Sequence, residues 1–156
     1  MKAMTIRHIL CATTLVFAAG ASYGVDTPSA PSDRLAQARA LIAEKKWTAA
    51  REELTRVNDP GSADWNNLMG FSMRKGETWD LEASERFYDQ ALRIDPKHKG
   101  ALEYSGELYL MKGDLPKAEE RLARLDKACF LPCGEFKELK SAVEQYKVNG
   151  NKYVAR

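Results

Sequence analysis

Residues 101–125 read ALEYSGELYLMKGDLPKAEERLARL, and this stretch decides the fold. Leu102, Gly106 and Tyr109 recur at helical spacing before Gly113-Asp114, and Leu115, Ala118, Leu122 and Leu125 recur at steps of 3, 4 and 3 after it. Each set marks one face of a helix. Gly113-Asp114 is a turn: Asp114 caps the helix that follows, and Pro116 falls in the first turn, where proline is tolerated. The second half of this hairpin has counterparts upstream. Ala118, Ser84 and Ala50 follow one another at a constant offset of 34, as do Leu122, Tyr88 and Leu54, then Leu115, Leu81 and Trp47, then Leu125, Ala91 and Val57. A small residue followed by a bulky one a turn later, repeated at that fixed offset, predicts an all-α solenoid of stacked helical hairpins.

The first helices of the hairpins carry a looser pattern. Ala38, Met69 and Gly106 occupy matching places, with Leu41, Ser72 and Tyr109 three residues later, at steps of 31 and 37. The unequal steps place about three extra residues in the turn of the second hairpin, at Glu77 to Asp80. Trp79 lies in that extension, either offered to a partner or folded back over its hairpin. The predicted units are 33–60, 62–96 and 99–127, closed by Asp59-Pro60-Gly61 and Asp95-Pro96. A turn and a seventh helix fill 128–148; Phe136, Leu139, Val143 and Tyr146 give that helix one apolar face suited to capping the stack. Residues 149–156 are read as a frayed tail.

These residues resemble tetratricopeptide repeats (TPR). The third unit matches best, with Leu102, Gly106, Tyr109, Gly113, Leu115, Ala118, Leu122 and Leu125. The second offers Trp65, Leu68, Gly76, Leu81, Tyr88, Ala91 and Pro96. The first is degenerate, with Ala38, Leu41, Trp47, Ala50, Leu54 and Val57. Trp65 to Lys75 and Gly100 to Tyr109 are similar to stretches of small exported proteobacterial TPR proteins that end in a closely spaced cysteine pair. The resemblance implies a right-handed solenoid whose first helices line a concave groove. By position it puts Arg39, Asn66, Gly70, Met73, Arg74, Glu103, Glu107 and Leu110 in that groove. Arginines lie toward the first two units and glutamates on the third, so the groove would hold a peptide or partner helix of complementary charge; alternatively these are solvated surface charges. The lysine–asparagine–arginine clamp that some members use for a terminal carboxylate is not matched here.

The packing residues are expected to work in two sizes. Ala38, Ala50, Ser84, Gly106 and Ala118 let helix backbones approach, while Leu54, Tyr88 and Leu122 fill the seam to the next hairpin.

Upstream of the repeats, Lys2, Arg7 and His8 precede the apolar run Ile9 to Ala19, and Gly20 to Gly24 is mostly small. This order predicts a secretory signal peptide over 1–24, cut after Ala21 or Gly24, and a Pro- and Ser-rich flexible linker over 25–32. Leu10 stands before Cys11, where a lipoprotein signal needs a small residue. The run is short for a bilayer span, so no stable membrane anchor is expected after cleavage. The chain carries 24 basic and 22 acidic residues. Lys2 and Arg7 leave with the leader, which makes the remainder neutral and argues against a nucleic-acid partner.

The predicted location is exported and periplasmic, an oxidising compartment where the remaining cysteines, Cys129 and Cys133, should pair. Three residues separate them where redox motifs carry two, which favours a structural disulfide; redox or metal handling stays as the alternative. His98, the one histidine after the leader, sits in a turn and is expected to face solvent. The sequence holds no phosphate loop and no nucleophile beside a base, and it offers no metal site and calls for no cofactor. It reads as a non-catalytic interaction adaptor, not an enzyme, whose partner is a peptide or protein, in envelope complex assembly by analogy; the open end of a three-hairpin stack also leaves self-association as a scaffold open.

Overall fold

The computed structural model describes residues 33–153 except 77 and 132. The expected leader and linker, part of the long turn, Pro132 and the last three residues lie outside it. Seven helices follow one another: α1 (Ala36–Ala43), α2 (Trp47–Val57), α3 (Ala63–Arg74), α4 (Leu81–Ile94), α5 (Lys99–Met111), α6 (Leu115–Ala128) and α7 (Gly134–Val148). They pair as α1–α2, α3–α4 and α5–α6, and α7 packs on both helices of the third pair. The fold is a helical solenoid of three hairpins with a capping helix.

Local chemistry sets the ends. Ser62 accepts a hydrogen bond from the Trp65 amide at 3.2 Å, Asp80 from Ala83 at 2.8 Å and Asp114 from Lys117 at 3.1 Å, each satisfying an otherwise open helix N-terminus. Asn58 ends α2 in the left-handed region at φ 47°. Gly113 makes the tight α5–α6 turn at φ 77°, a conformation that costs glycine little.

The repeating sets do the packing. Ala50, Ser84 and Ala118 are fully buried, as are Leu54 and Tyr88, while Leu122 is half-buried. Val57, Ala91 and Leu125 are buried; Trp47 and Leu81 are half-buried. One apolar cluster joins Leu35, Ala38, Leu54, Val57, Trp65 and Met69, so the first hairpin and α3 share a core with Leu68 at its edge. There Trp65 donates its indole N–H to the Leu54 carbonyl at 2.7 Å. A second cluster runs from Tyr88 on α4 through Leu102 and Tyr109 on α5 to Leu139 and Tyr146 on α7. Tyr153, within the expected tail, packs against this second cluster, so the chain beyond α7 is tied down at that point.

The small residues act on side chains of neighbouring elements. A Cβ at Gly70 would stand 2.8 Å from the Tyr88 ring, and Ser84 hydrogen-bonds the Gly70 carbonyl, so α3 and α4 are drawn together. Gly106 was expected to bring two backbones together; its open side instead receives Leu139 of α7, 2.6 Å from where a Cβ would lie.

Candidate interaction face

The first helices α1, α3 and α5 and then α7 form one row, linked by α1–α3, α3–α5 and α5–α7 packing. The α3–α5 seam has a constant register. Asn67 lies against Gly100, Phe71 stacks on Tyr104 with ring centroids 4.5 Å apart, and Arg74 bonds Glu107 at 2.7 Å. All three pairs share the same sequence offset, 33. Trp47 meets Phe71 edge-on at 5.9 Å, which extends the rings from the first hairpin to the third. Trp47, Phe71 and Tyr104 are all half-buried. The Arg74 guanidinium lies 5.6 Å from the Phe71 centroid and 5.7 Å from that of Tyr104, a cation–π arrangement on both.

The eight residues expected along the groove divide sharply. Asn66 is inside the fold, where its amide donates to the Pro60 and Ser62 carbonyls at 2.9 and 2.8 Å and ties down the turn before α3. Gly70 faces Tyr88, not a groove, and Leu110 is buried in the second core. Met73 is half-buried against the first core. These positions were carried over by spacing alone, which does not report burial on more than one side.

Arg39 is half-buried and pairs with Asp33 at 2.7 Å and Asp64 at 2.8 Å. Arg74 is 1% exposed. The positive end expected for the groove is therefore internally matched. Burial opposes the charge on Arg74, but Tyr88 and the bonded Glu107 outweigh it and hold the guanidinium above its ordinary value. Lys75, which lies 5.6 Å from the Phe71 centroid, is lowered by burial and by Arg74. Glu103 and Glu107 are both buried. Burial, then the neighbouring Glu107 and Glu135, push the Glu103 carboxyl up to about 8. The Tyr104 hydroxyl is pushed up to about 12 by burial and by Glu103 and Glu107.

His98 does not face solvent. It caps α5, accepting from the Ala101 amide through Nδ1 at 3.0 Å, which leaves Nε2 to meet Asp64 at 2.9 Å. Trp79 is 61% exposed, so the folded-back alternative does not hold. It borders a cavity of about 60 Å³ with Arg74 and Met111. A larger open cavity of about 830 Å³ lies beside Trp47, where Lys46 already pairs with Glu44 at 2.6 Å and Arg51 donates to the Ser72 carbonyl at 2.9 Å. Cys129 and Cys133 form a disulfide, Cα–Cα 5.9 Å, that closes the loop between α6 and α7. Phe130 and Leu131 stand exposed on that loop. Among the described residues, no group of three His, Cys, Asp or Glu side chains is placed to hold a metal ion.

Sequence reasoning missed Phe71 and Tyr104. The offset they share with the Asn67–Gly100 and Arg74–Glu107 pairs was a usable signal.

No family model and no curated protein matches the chain. Among solved structures, the Yersinia enterocolitica type III secretion chaperone SycD, crystallised in complex with a peptide of the translocator YopD, is similar. The TM-score is 0.58 at 20% identity, covering 75% of this chain and 92% of that one. The likeness is one of fold, and the shared architecture is a TPR-like helical solenoid.

Proposed function

We propose that this chain is an exported, non-catalytic adaptor that holds a peptide or an extended segment of a partner protein along the row of first helices. The observation that carries the reading is the half-buried ring series Trp47, Phe71 and Tyr104, which crosses all three hairpins beside fixed charges. Aromatic surface with ordered polar neighbours is what peptide recognition uses for anchoring and register. The similar SycD structure holds a peptide of another protein, and the same use of the fold is proposed here. The disulfide serves a structural part, fixing the loop that leads into α7.

A photo-crosslinking residue placed at Lys75, beside Phe71, is compared in cells with one at Asp126 on the exposed side of α6. A companion captured from Lys75 and not from Asp126 supports the reading. Equal capture from both, or none from Lys75, overturns it.

A further inference from the structure

Two cavities share Gly76 as a common wall on the edge of the solenoid where the turns within the hairpins lie. The larger, about 830 Å³, is lined by the α1–α2 turn, the start of α2 and the α3–α4 turn. The smaller, about 60 Å³, is lined by the end of α3, Trp79 and Met111 at the end of α5. Lys45, Lys46 and Arg51 line the first, Arg74 and Lys75 the second, and the described lining of both contains no acid. Lys46 pairs with Glu44 at 2.6 Å and Arg74 with Glu107 at 2.7 Å. Arg51 is held by neutral acceptors, the Ser72 carbonyl at 2.9 Å and the Thr48 hydroxyl at 3.2 Å, so its charge is not offset. Lys45 and Lys75 have no ion pair among the described residues. Lys46, at the N-cap, gives the open amides of α2 no side-chain acceptor, and that helix end adds partial positive charge beside Thr48 and Ala49 in the larger cavity.

The smaller cavity also borders donors without a proper acceptor. Arg74 is 1% exposed and bonds Glu107 through Nη2. Its buried Nε has no hydrogen-bond partner, and its Nη1 meets the Met111 thioether at 3.9 Å, a weak acceptor. Met111 lines the cavity together with Arg74, so the under-bonded side of the guanidinium is the side that borders it. Buried polar atoms left unpaired are uncommon, and here they lie against open space.

We propose that this edge docks an acidic segment of the partner protein, with one aspartate or glutamate carboxylate seated in the smaller cavity against Arg74 and Lys75. A charged acceptor there would bond the open donors of Arg74 directly. Burial and Arg74 both oppose the charge on Lys75, and an entering carboxylate relieves that opposition. Trp79, which is exposed, and Met111 give apolar walls to the stem that carries the carboxylate. A recess of about 60 Å³ admits the end of a side chain and not a nucleotide, which favours an acidic peptide over a nucleic acid. The proposal names the partner's chemistry and rests on the adaptor reading: Trp47, the first ring of the series, lines the larger cavity, so a segment lying along the rings runs on to this edge.

The probe is an acetylated, amidated octapeptide alternating Glu and Leu, with Gln in place of Glu as its control. Each is added to the full chain and followed by magnetic resonance. The expected result with the Glu peptide is a saturable response at the Ala49 and Gly76 amides and the Trp79 indole, with the Arg74 Nε–H signal moving downfield. The Gln peptide gives little response. Lys45→Asn with Lys75→Gln, which suits the left-handed backbone at Lys45 and keeps the stem at Lys75, weakens binding of the Glu peptide about tenfold. Raising NaCl from ~0.05 to ~0.3 M weakens it several-fold in the unaltered chain. Equal responses to the two peptides, tighter binding of octathymidylate than of the Glu peptide, an unmoved Arg74 Nε–H signal, or full binding by the folded double variant overturns the proposal. If the double variant fails to fold, the peptide comparison, the Arg74 signal and the salt profile decide the matter. Capture from Lys75 through a partner segment without acids would remove this proposal and leave the adaptor standing. Binding of the Glu peptide with no capture from Lys75 in cells would instead remove the adaptor reading.

Discussion

Arg74 on α3 and Glu107 on α5 meet at 2.7 Å in the interior, joining the second hairpin to the third across 33 residues of sequence. The guanidinium also lies beside two rings that touch each other, 5.6 Å from the Phe71 centroid and 5.7 Å from that of Tyr104. A buried ion pair adds little over a well-packed apolar pair, but losing one partner strands the other charge. Arg74→Ala is therefore expected to cost about 3–5 kcal/mol in urea unfolding, and Arg74→Met with Glu107→Leu distinctly less. Equal losses for the single and double variants would show that ring packing, not charge, holds the seam.

Gly70 tests the close approach of α3 and α4. Alanine there gains about 1 kcal/mol of helix propensity, but its Cβ meets a fully buried Tyr88 ring, an overpacking cost of about 1–3 kcal/mol. Gly70→Ala is expected to lower the thermal midpoint, and trimming Tyr88→Leu in the same chain to recover part of the loss. A stabilised Gly70→Ala would mean that the ring shifts freely.

Stability should depend on pH through Glu103. Its folded pKa is raised from 4.5 to about 8, so the folded state binds the proton more tightly than the unfolded chain. Its contribution is greatest below the unfolded value and is lost as pH rises through the folded one, with a slope approaching about 1.4 kcal/mol per pH unit between them. Urea unfolding from pH 5 to 9 should show this decline, and Glu103→Gln should flatten it.

His98 carries the start of α5. His98→Ala is expected to cost about 1 kcal/mol by leaving the Ala101 amide open, while His98→Asn keeps a capping oxygen and loses less. The two variants are separated by chemical denaturation; equal losses would place the energy in the Asp64 contact instead.

Reducing Cys129–Cys133 opens a loop of five residues, worth about 2 kcal/mol in the chain-entropy view. A matching drop in stability with α1 to α5 otherwise unchanged by amide exchange would confine its effect to α6 and α7.

The second helices of the hairpins were legible in sequence because they meet the core on one stripe: Ala50, Ser84 and Ala118 mark it in order, and all three are fully buried. The first helices were less so, because α3 and α5 each pack against their own partner and against neighbours on either side. That crowding is why α5 has nine buried residues in thirteen and shows no single apolar stripe. Burial on several sides also explains why Asn66, Gly70 and Leu110 read as groove positions and are interior. His98 escaped because its second contact is with Asp64, 34 residues away, and composition in a turn does not report it.

Leu139 of α7 reaches Gly106 of α5 at the same offset that pairs Arg74 with Glu107. The last helix thus occupies the berth that the opening helix of a fourth hairpin would take. The array is closed by a half-repeat whose register is that of the repeat itself, so lengthening it calls for inserting one whole hairpin ahead of α7 rather than redesigning an end. A gene that duplicated 99–131 in frame would bring the terminal cap along unchanged, and with it a longer row of first helices.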